Sequence, residues 1–104
     1  MKNYFGFAIL LVSFLSSAVH ASTGKIKRIY PQGELVKFQL KDDSCNAAYN
    51  YYYFDTSSTQ GKSTYSLLLS SAVARQAVSV RFEGDEQPCD PNVDKRIMYI
   101  YADY

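Results

Sequence analysis

The stretch STYSLLLSSAVARQAVSVRF, residues 63–82, contains the change of hydrophobic period on which the predicted fold depends. Its first part repeats apolar residues at the spacing that places them on one face of a helix. These residues are Tyr65, Leu68, Leu69, Ala72 and Val73. From residue 78 the period becomes two, which is the period of a strand. One strand face then carries Val78, Val80 and Phe82, and the other carries Ser79, Arg81 and Glu83. The stretch predicts an amphipathic helix that ends near Arg75 or Gln76 and leads directly into a strand over residues 77–83.

Two strand-like segments joined by a turn open the ordered part of the chain. Residues 25–30 predict a first strand, and the following Pro-Gln-Gly is typical of a turn. Residues 34–41 alternate cleanly and predict a half-buried second strand. Its apolar face carries Val36, Phe38 and Leu40, and its polar face carries Lys37, Gln39 and Lys41.

A third strand over residues 47–54 is predicted from the enrichment of aromatic residues. A polar loop over residues 55–63 follows, and Ser63 or Thr64 is the predicted helix cap. After the helix and the fourth strand, residues 84–93 are rich in turn-forming residues. Residues 95–103 predict a fifth strand, with Ile97, Tyr99 and Tyr101 on the face opposite to Met98 and Ile100.

The predicted element order is three strands, one helix and two strands. This is the order of the OB-fold, a five-stranded Greek-key barrel with its helix between the third and fourth strands. Two-layer α+β sheets share the order and remain the alternative. We therefore predict a mainly β fold, an OB-fold-like β-barrel with one helix.

The first 21 residues have the pattern of an export signal. Lys2 precedes an apolar run over residues 5–15, and Ala18 and Ala21 supply the small residues at the −3-like and −1 positions of a predicted cleavage point after residue 21. The alternative is an uncleaved anchor, but the apolar run is shorter than the ~20 residues that span a bilayer. We predict a signal peptide over residues 1–21 and a single domain over residues 22–104. The domain is expected to be exported, periplasmic or secreted, with no membrane insertion after signal removal.

Cys45 and Cys89 are the only cysteines in the sequence. Export places them in an oxidising compartment, where a small domain is often stabilised by a disulfide. Redox chemistry and zinc binding are the weaker alternatives, because there is no C-x-x-C spacing and two thiols do not complete a zinc site. We predict a Cys45–Cys89 bridge.

The composition excludes several classes of function. Removal of Lys2 leaves ten basic and ten acidic residues, so no strong field is present to hold nucleic acid. The only histidine, His20, lies in the predicted signal, which excludes histidine-based catalysis from the domain. The remaining acidic pairs lie in predicted turns, where solvated carboxylates are expected. They are Asp42 with Asp43 and Asp85 with Glu86. No enzyme activity, catalytic residue or cofactor is predicted.

Asp90, Asn92 and Asp94 have the spacing with which a calcium loop begins. Lys95 stands at the position of the required glycine, and Tyr101 stands where a bidentate glutamate is needed. We therefore interpret this segment as an ordinary acidic turn and predict no metal site.

A cluster of tyrosines is the least ordinary feature of the sequence. In a strand, Tyr51 and Tyr53 would share one face, and Tyr52 would join Asn50 and Phe54 on the other. Both faces cannot belong to the core of so small a domain, so at least one or two of the tyrosines are expected to be exposed or packed against a partner. The candidate binding surface comprises Tyr49, Tyr51, Tyr52, Tyr53, Tyr99 and Tyr101, and Tyr104 could extend it. The alternative is that these rings only cover the barrel exterior.

The segment TYSLLLSSAVARQAVSVRF, followed by a turn with a cysteine, resembles the helix-to-strand unit of toxin B subunits. The group is that of the receptor-binding subunits of subtilase-cytotoxin and pertussis-like toxins. This resemblance implies a small exported OB-fold with a disulfide that forms a ring and binds cell-surface glycans. The chain also resembles small exported proteins of Gram-negative bacteria that share its YYYF, LLL and YIY segments.

Two functions are expected from these observations. The first is a non-enzymatic binding or accessory module that acts on a protein partner through a tyrosine-rich surface. The alternative is a glycan-binding protein that forms a ring oligomer like the toxin B subunits. Nucleic acid is not an expected partner.

Overall fold

The computed structural model describes residues 22–46 and 49–103. The predicted signal peptide, the first two residues of the predicted third strand and Tyr104 lie outside the described residues. The elements in the described part are β1 (Ser22–Gly24), β2 (Ile26–Gln32), β3 (Leu35–Leu40), β4 (Tyr52–Asp55), α1 (Thr59–Ala74), β5 (Val78–Phe82) and β6 (Lys95–Tyr101).

The strands form one sheet in the order β1-β5-β6-β4-β3-β2. β4 and β6 are parallel, and the other neighbours are antiparallel. The two strands at the ends of this order, β1 and β2, are consecutive in the chain and are separated only by Lys25. The sheet therefore curls into a partly open barrel, because one stretch of chain contributes to both of its ends. The helix lies between β4 and β5, because β1 is a strand that the sequence pattern did not predict. The mainly β barrel with one helix confirms the predicted fold class.

The barrel interior is filled by the alternating residues of β3, β4 and β5. The inward positions predicted for the second and fourth strands are confirmed. The buried apolar residues are Val36, Phe38, Leu40, Cys45, Tyr52, Phe54, Leu68, Val78, Val80, Phe82, Ile97 and Ile100. Gln39 and Ser79, which were predicted on outer faces, are also buried. Gln39 donates from Nε2 to the Asn50 carbonyl, and the Ser79 hydroxyl lies 2.8 Å from that of Thr23, so neighbouring segments cover both side chains.

The helix begins earlier than predicted. Ser58, not Ser63 or Thr64, is the N-cap, and its Oγ accepts a hydrogen bond of 3.0 Å from the Gly61 amide. The sequence pattern placed residues 55–63 in a loop because these residues are polar and small. At the other end Arg75 has φ 56°, and Gln76 N donates to the Ser71 carbonyl, which closes the last turn.

The buried side of α1 also differs from the predicted face. Leu68 is buried as expected, but Leu69 is 42% exposed and Val73 is 86% exposed. The buried helix residues are Gly61, Thr64, Leu68 and Ser71. A Cβ built on Gly61 would lie 1.9 Å from the Asp55 carbonyl oxygen. The helix therefore approaches the end of β4 so closely that a residue without a side chain is needed at position 61.

The predicted ends of two strands need correction. β2 continues through Pro31 to Gln32, and the turn is formed by Gly33, with φ 65°, and Glu34. Proline is tolerated because β2 lies at one end of the strand order. β4 is shorter than predicted and begins only at residue 52. Ahead of it, the Tyr51 amide donates to Asp94 Oδ1, a side chain, and not to a neighbouring strand.

A register shift changes the alternation of β6. Arg81 pairs with Tyr99 and Phe82 pairs with Ile97, so Met98 is an extra residue in the ladder. Ile97 and Ile100 are consequently buried, whereas Tyr99 and Tyr101 are exposed. The predicted grouping of Ile97 with these two tyrosines was wrong, because alternation cannot anticipate a bulge.

Candidate binding face

A row of four outward side chains crosses four neighbouring strands of the barrel. Tyr30 of β2 pairs with Lys37 of β3, Lys37 pairs with Tyr53 of β4, and Tyr53 pairs with Arg96 of β6. Directly paired residues place their side chains on the same face of a sheet. With strands ~4.8 Å apart, the row is about 14 Å long and alternates between aromatic rings and cations.

Tyr51 and Arg28 extend this row on one side. The Tyr30 and Tyr51 ring centroids are 5.9 Å apart, and Lys37 Nζ lies 5.9 Å from the centroid of the Tyr30 ring. Arg28 Nη1 donates a hydrogen bond of 3.0 Å to the Tyr51 hydroxyl. These mutual contacts hold the rings in place before any ligand arrives. We define the tyrosine face as Arg28, Tyr30, Lys37, Tyr51, Tyr53 and Arg96.

The tyrosine face is locally positive although the whole chain is nearly neutral. It carries three cations, while the formal net charge of the sequence is +1. Its acidic neighbours are Asp55 of β4, which lies on the same side of the strand as Tyr53 and interacts with the charge of Arg96, and further residues at the β6 side. Glu83 Oε2 is 3.7 Å from Arg96 Nε, and both side chains are exposed, so the pair adds little stability. Asp94 Oδ1 accepts a hydrogen bond from the Tyr51 amide, so this carboxylate also lies beside the face.

A cleft of about 380 Å³ adjoins the face between Tyr53, Arg96 and the loop of residues 84–94. Its volume falls in the range of small-ligand pockets, about 300–1,000 Å³. Carboxylates of Glu83, Asp90 and Asp94 line it together with the two face residues. The cleft can therefore accept a polar group that projects beyond the row.

The predicted tyrosines are distributed over three environments. Tyr51 and Tyr53 lie on the tyrosine face, and Tyr49 is 86% exposed in the segment that precedes β4. Tyr52 was wrongly included in the candidate surface, because it is fully buried at 0% exposure. Its ring packs 5.5 Å from Phe38 and 5.6 Å from Phe82, centroid to centroid. The alternation correctly separated Tyr52 from its neighbours but could not decide which side faces the core.

Tyr99 and Tyr101 form a second patch, away from the segment of β6 that pairs with β4. Their ring centroids are 6.4 Å apart, and they pair with Arg81 and Ser79 of β5. β4 pairs with β6 only at Lys95 and Arg96. The predicted surface is therefore divided into the tyrosine face and this β5–β6 patch.

Tyr30 and the three cations of the face were missed by the sequence reasoning. The signal was present in the outward positions of the first, second and fifth predicted strands. Finding it required the register between β2, β3, β4 and β6, which the sequence does not state.

The hydroxyl of buried Tyr52 is held in a polar cluster near the disulfide. It donates to Asp43 Oδ2 at 2.5 Å, and Asp43 Oδ1 accepts from the Cys45 amide at 2.9 Å. Burial raises the pKa of Tyr52 well above its usual value, and the bond to Asp43 adds to this shift. Asp43, which was expected to be a solvated acid, instead anchors the loop that carries Cys45.

Lys95 is the cation of the same cluster. Its Nζ donates to the carbonyls of Cys45 at 2.6 Å and Val93 at 2.9 Å, and it lies 5.9 Å from the centroid of the Tyr52 ring. Burial lowers the pKa of Lys95, although the nearby acids oppose the shift. These contacts connect the two loops of the disulfide and give the cluster a structural role.

The Cys45–Cys89 disulfide is present, as predicted, with the Cα atoms 5.7 Å apart. Asp85, in contrast, was wrongly expected to be a solvated turn acid. It is 1% exposed and accepts from Arg81 Nε at 2.6 Å and Nη2 at 3.2 Å. The hydrogen bonds from Arg81 hold the pKa of Asp85 below its usual range.

The acidic segment of residues 90–94 uses its oxygens within the protein. Asp90 Oδ1 accepts from the Asn92 amide at 2.9 Å, and Asn50 donates to the Asn92 carbonyl at 3.1 Å. In the described part of the chain no three histidine, cysteine or acidic side chains are grouped so that they could hold a metal ion. Over the same residues no helix is long and apolar enough to cross a membrane.

Comparison with protein-family models, with curated proteins and with solved structures finds no match to this chain. The likeness to toxin B subunits therefore stays a prediction that rests on the sequence pattern alone.

Proposed function

We propose that this protein is an exported, non-enzymatic binding module that recognises a protein partner through the tyrosine face. The observation that carries the proposal is the alternating row of Tyr30, Lys37, Tyr53 and Arg96 across four strands. Tyrosine and arginine are enriched in the energetic centres of protein interfaces. The buried core is complete without these side chains, so folding alone does not require them.

Export is supported by two features of the chain. The Cys45–Cys89 bridge is typical of proteins that fold in an oxidising compartment. The first 21 residues have the pattern of a signal peptide. The binding face would then act in the periplasm or outside the cell.

The proposal is tested by capture from periplasm and culture medium, followed by titration of the purified partner. We expect the double variant Tyr30→Ala/Tyr51→Ala to weaken binding by at least about 30-fold, since the loss of even one hot-spot residue costs about 2 kcal/mol. Tyr99→Ala/Tyr101→Ala is the matched control, because it removes two exposed tyrosines from the second patch. This control should change the affinity less than about twofold. Equal losses in both double variants, or an unchanged affinity in the first, would reject the tyrosine face.

The alternative is a glycan-binding ring oligomer, and the cleft beside Tyr53 favours it because its size suits a small polar ligand. Light scattering on residues 22–104 separates the two. A closed ring that binds on a glycan array, and loses binding in the Tyr30→Ala/Tyr51→Ala variant, would support the glycan function. A monomer without array signal would leave the protein partner as the proposal.

A further inference from the structure

We infer that the segment held by the tyrosine face is an acidic, proline-containing stretch of the partner in polyproline II conformation. This inference rests on the proposed function and adds the chemistry of the partner. Three features of the face support this inference, namely its cations, the distance between Lys37 and Arg96, and the acidic residues beside it.

The charge of the face favours an anionic partner. Arg28, Lys37 and Arg96 lie among the rings, and of these cations Arg96 also has the carboxylates of Glu83 and Asp55 beside it. Arg28 and Lys37 already contact Tyr51 and Tyr30, so their charges are held at fixed places beside the rings. Carboxylates that approach this face meet complementary charge, whereas a basic segment would be repelled.

The spacing of the face matches a polyproline II helix. Lys37 and Arg96 are two strands apart, which is about 9.6 Å. In a polyproline II helix, residues i and i+3 lie on one edge and are ~9.3 Å apart. Two acidic residues at this spacing would reach both cations. The intervening prolines would contact Tyr53, in the way that aromatic surfaces receive proline-rich segments.

The acidic residues beside the tyrosine face favour a short peptide segment over a long polyanion as the partner. Glu83 lies beside Arg96, and Asp94 and Asp90 line the adjoining cleft. A nucleic acid or a sulfated polysaccharide continues with dense charge beyond the row and would meet these carboxylates. A peptide can end its acidic run, or place a neutral or basic residue, at this point.

The experiment is a titration of the oxidised protein, followed by backbone amide NMR. The probe is the peptide Glu-Pro-Pro-Glu-Pro-Pro-Glu, and the control is Glu-Glu-Glu-Pro-Pro-Pro-Pro, which has the same composition without the i, i+3 spacing. We expect the spaced peptide to shift the amides of Lys37, Tyr53 and Arg96. The affinity for the spaced peptide should be about fivefold higher than for the control peptide.

Charge reversal identifies the cation involved. Lys37→Glu should weaken binding of the spaced peptide by about five- to tenfold, and Arg28→Glu, at an exposed position, should act in the same direction. The matched control is Lys62→Glu on the exposed side of α1, which should change the affinity less than about twofold. The amide spectrum of each variant shows whether it remains folded.

Several results would overturn the inference. They are equal binding of the two peptides, shifts outside the tyrosine face, an unaltered affinity in both charge-reversed variants, or tighter binding of heparin or oligo-dT to the same residues. If the captured partner still depends on Tyr30 and Tyr51 while the peptide fails to bind, only the acidic segment is rejected. Loss of that dependence rejects the proposed function itself.

Discussion

Asp85 holds the turn after β5 against the end of that strand. It stands in a run of turn-forming residues, which predicts a solvated acid, yet its carboxylate is almost fully buried against Arg81 and the Phe82 amide. The two partners come from the end of β5, and the turn after this strand brings the acid back onto it. The residue types were visible in the sequence, but the path of the turn was not.

Replacing Asp85 by asparagine tests this ion pair through its pH dependence. The pKa of Asp85 is lower in the folded protein than its ordinary value of 3.8, so the ionised form favours folding. This stability is present above the ordinary value and is lost as the pH falls through the lower, folded value. We expect Asp85→Asn to have a lower free energy of unfolding than the wild type at neutral pH. The difference should shrink below about pH 4.

Urea unfolding at a series of pH values measures this difference. The control is Glu86→Gln, which removes the adjacent exposed acid and should have little effect on the free energy of unfolding. A difference between Asp85→Asn and the wild type that stays constant from neutral to acidic pH would show that the carboxylate does not stabilise the fold by its charge.

At the scale of elements, the helix and the strands were predicted with different success. The two periods of residues 63–82 correctly gave a helix followed by a strand. The position of the helix on the barrel was not predicted, because Gly61 counts as a loop former in isolation. Its real role is to allow α1 to approach the Asp55 carbonyl. Likewise, the extra residue Met98 in β6 breaks the alternation that grouped Tyr99 on one face with Ile97.

Gly61→Ala measures how close this approach is. In an exposed helix the substitution would stabilise the protein by ~1 kcal/mol, because alanine is the better helix former. Here the added methyl group would meet backbone atoms, so we expect destabilisation by about 1–3 kcal/mol. Ser63→Ala, at an exposed helix position, is the control and should be neutral or slightly stabilising. A stability gain for Gly61→Ala in thermal unfolding would contradict the close packing of α1 on β4.

At the scale of the whole molecule, the barrel order was predicted from the order of elements along the chain. The candidate site was predicted only in part, since Tyr51 and Tyr53 were identified but Tyr30, Arg28, Lys37 and Arg96 were not. Residues far apart in sequence become neighbours through strand pairing. A periodic pattern specifies the strand face on which a residue lies, but it does not specify the residue with which it pairs.

The disulfide is expected to supply a large part of the stability of the domain. It closes a loop with a sequence separation of 44, for which the chain-entropy model gives about 4 kcal/mol. Reduction should therefore lower the melting temperature by ~20 °C in a domain of this size. The double variant Cys45→Ser/Cys89→Ser should melt near the reduced wild type, in both the presence and the absence of reductant. Equal melting temperatures for the oxidised and the reduced wild type would contradict a stabilising bridge.

The short strand β1 has a consequence for the association of the protein with further copies of itself. Its three residues pair with β5, and the Thr23–Ser79 contact spans 56 positions of the chain. Contacts of such high order form late in folding, because the loop between them must first be ordered. We expect the pairing of β1 with β5 to form last and to open first. While it is open, β5 presents an unpaired edge to which a strand of another copy can add. The rate at which β1 detaches from β5 therefore determines how often the edge of β5 is free to pair with another copy of the protein.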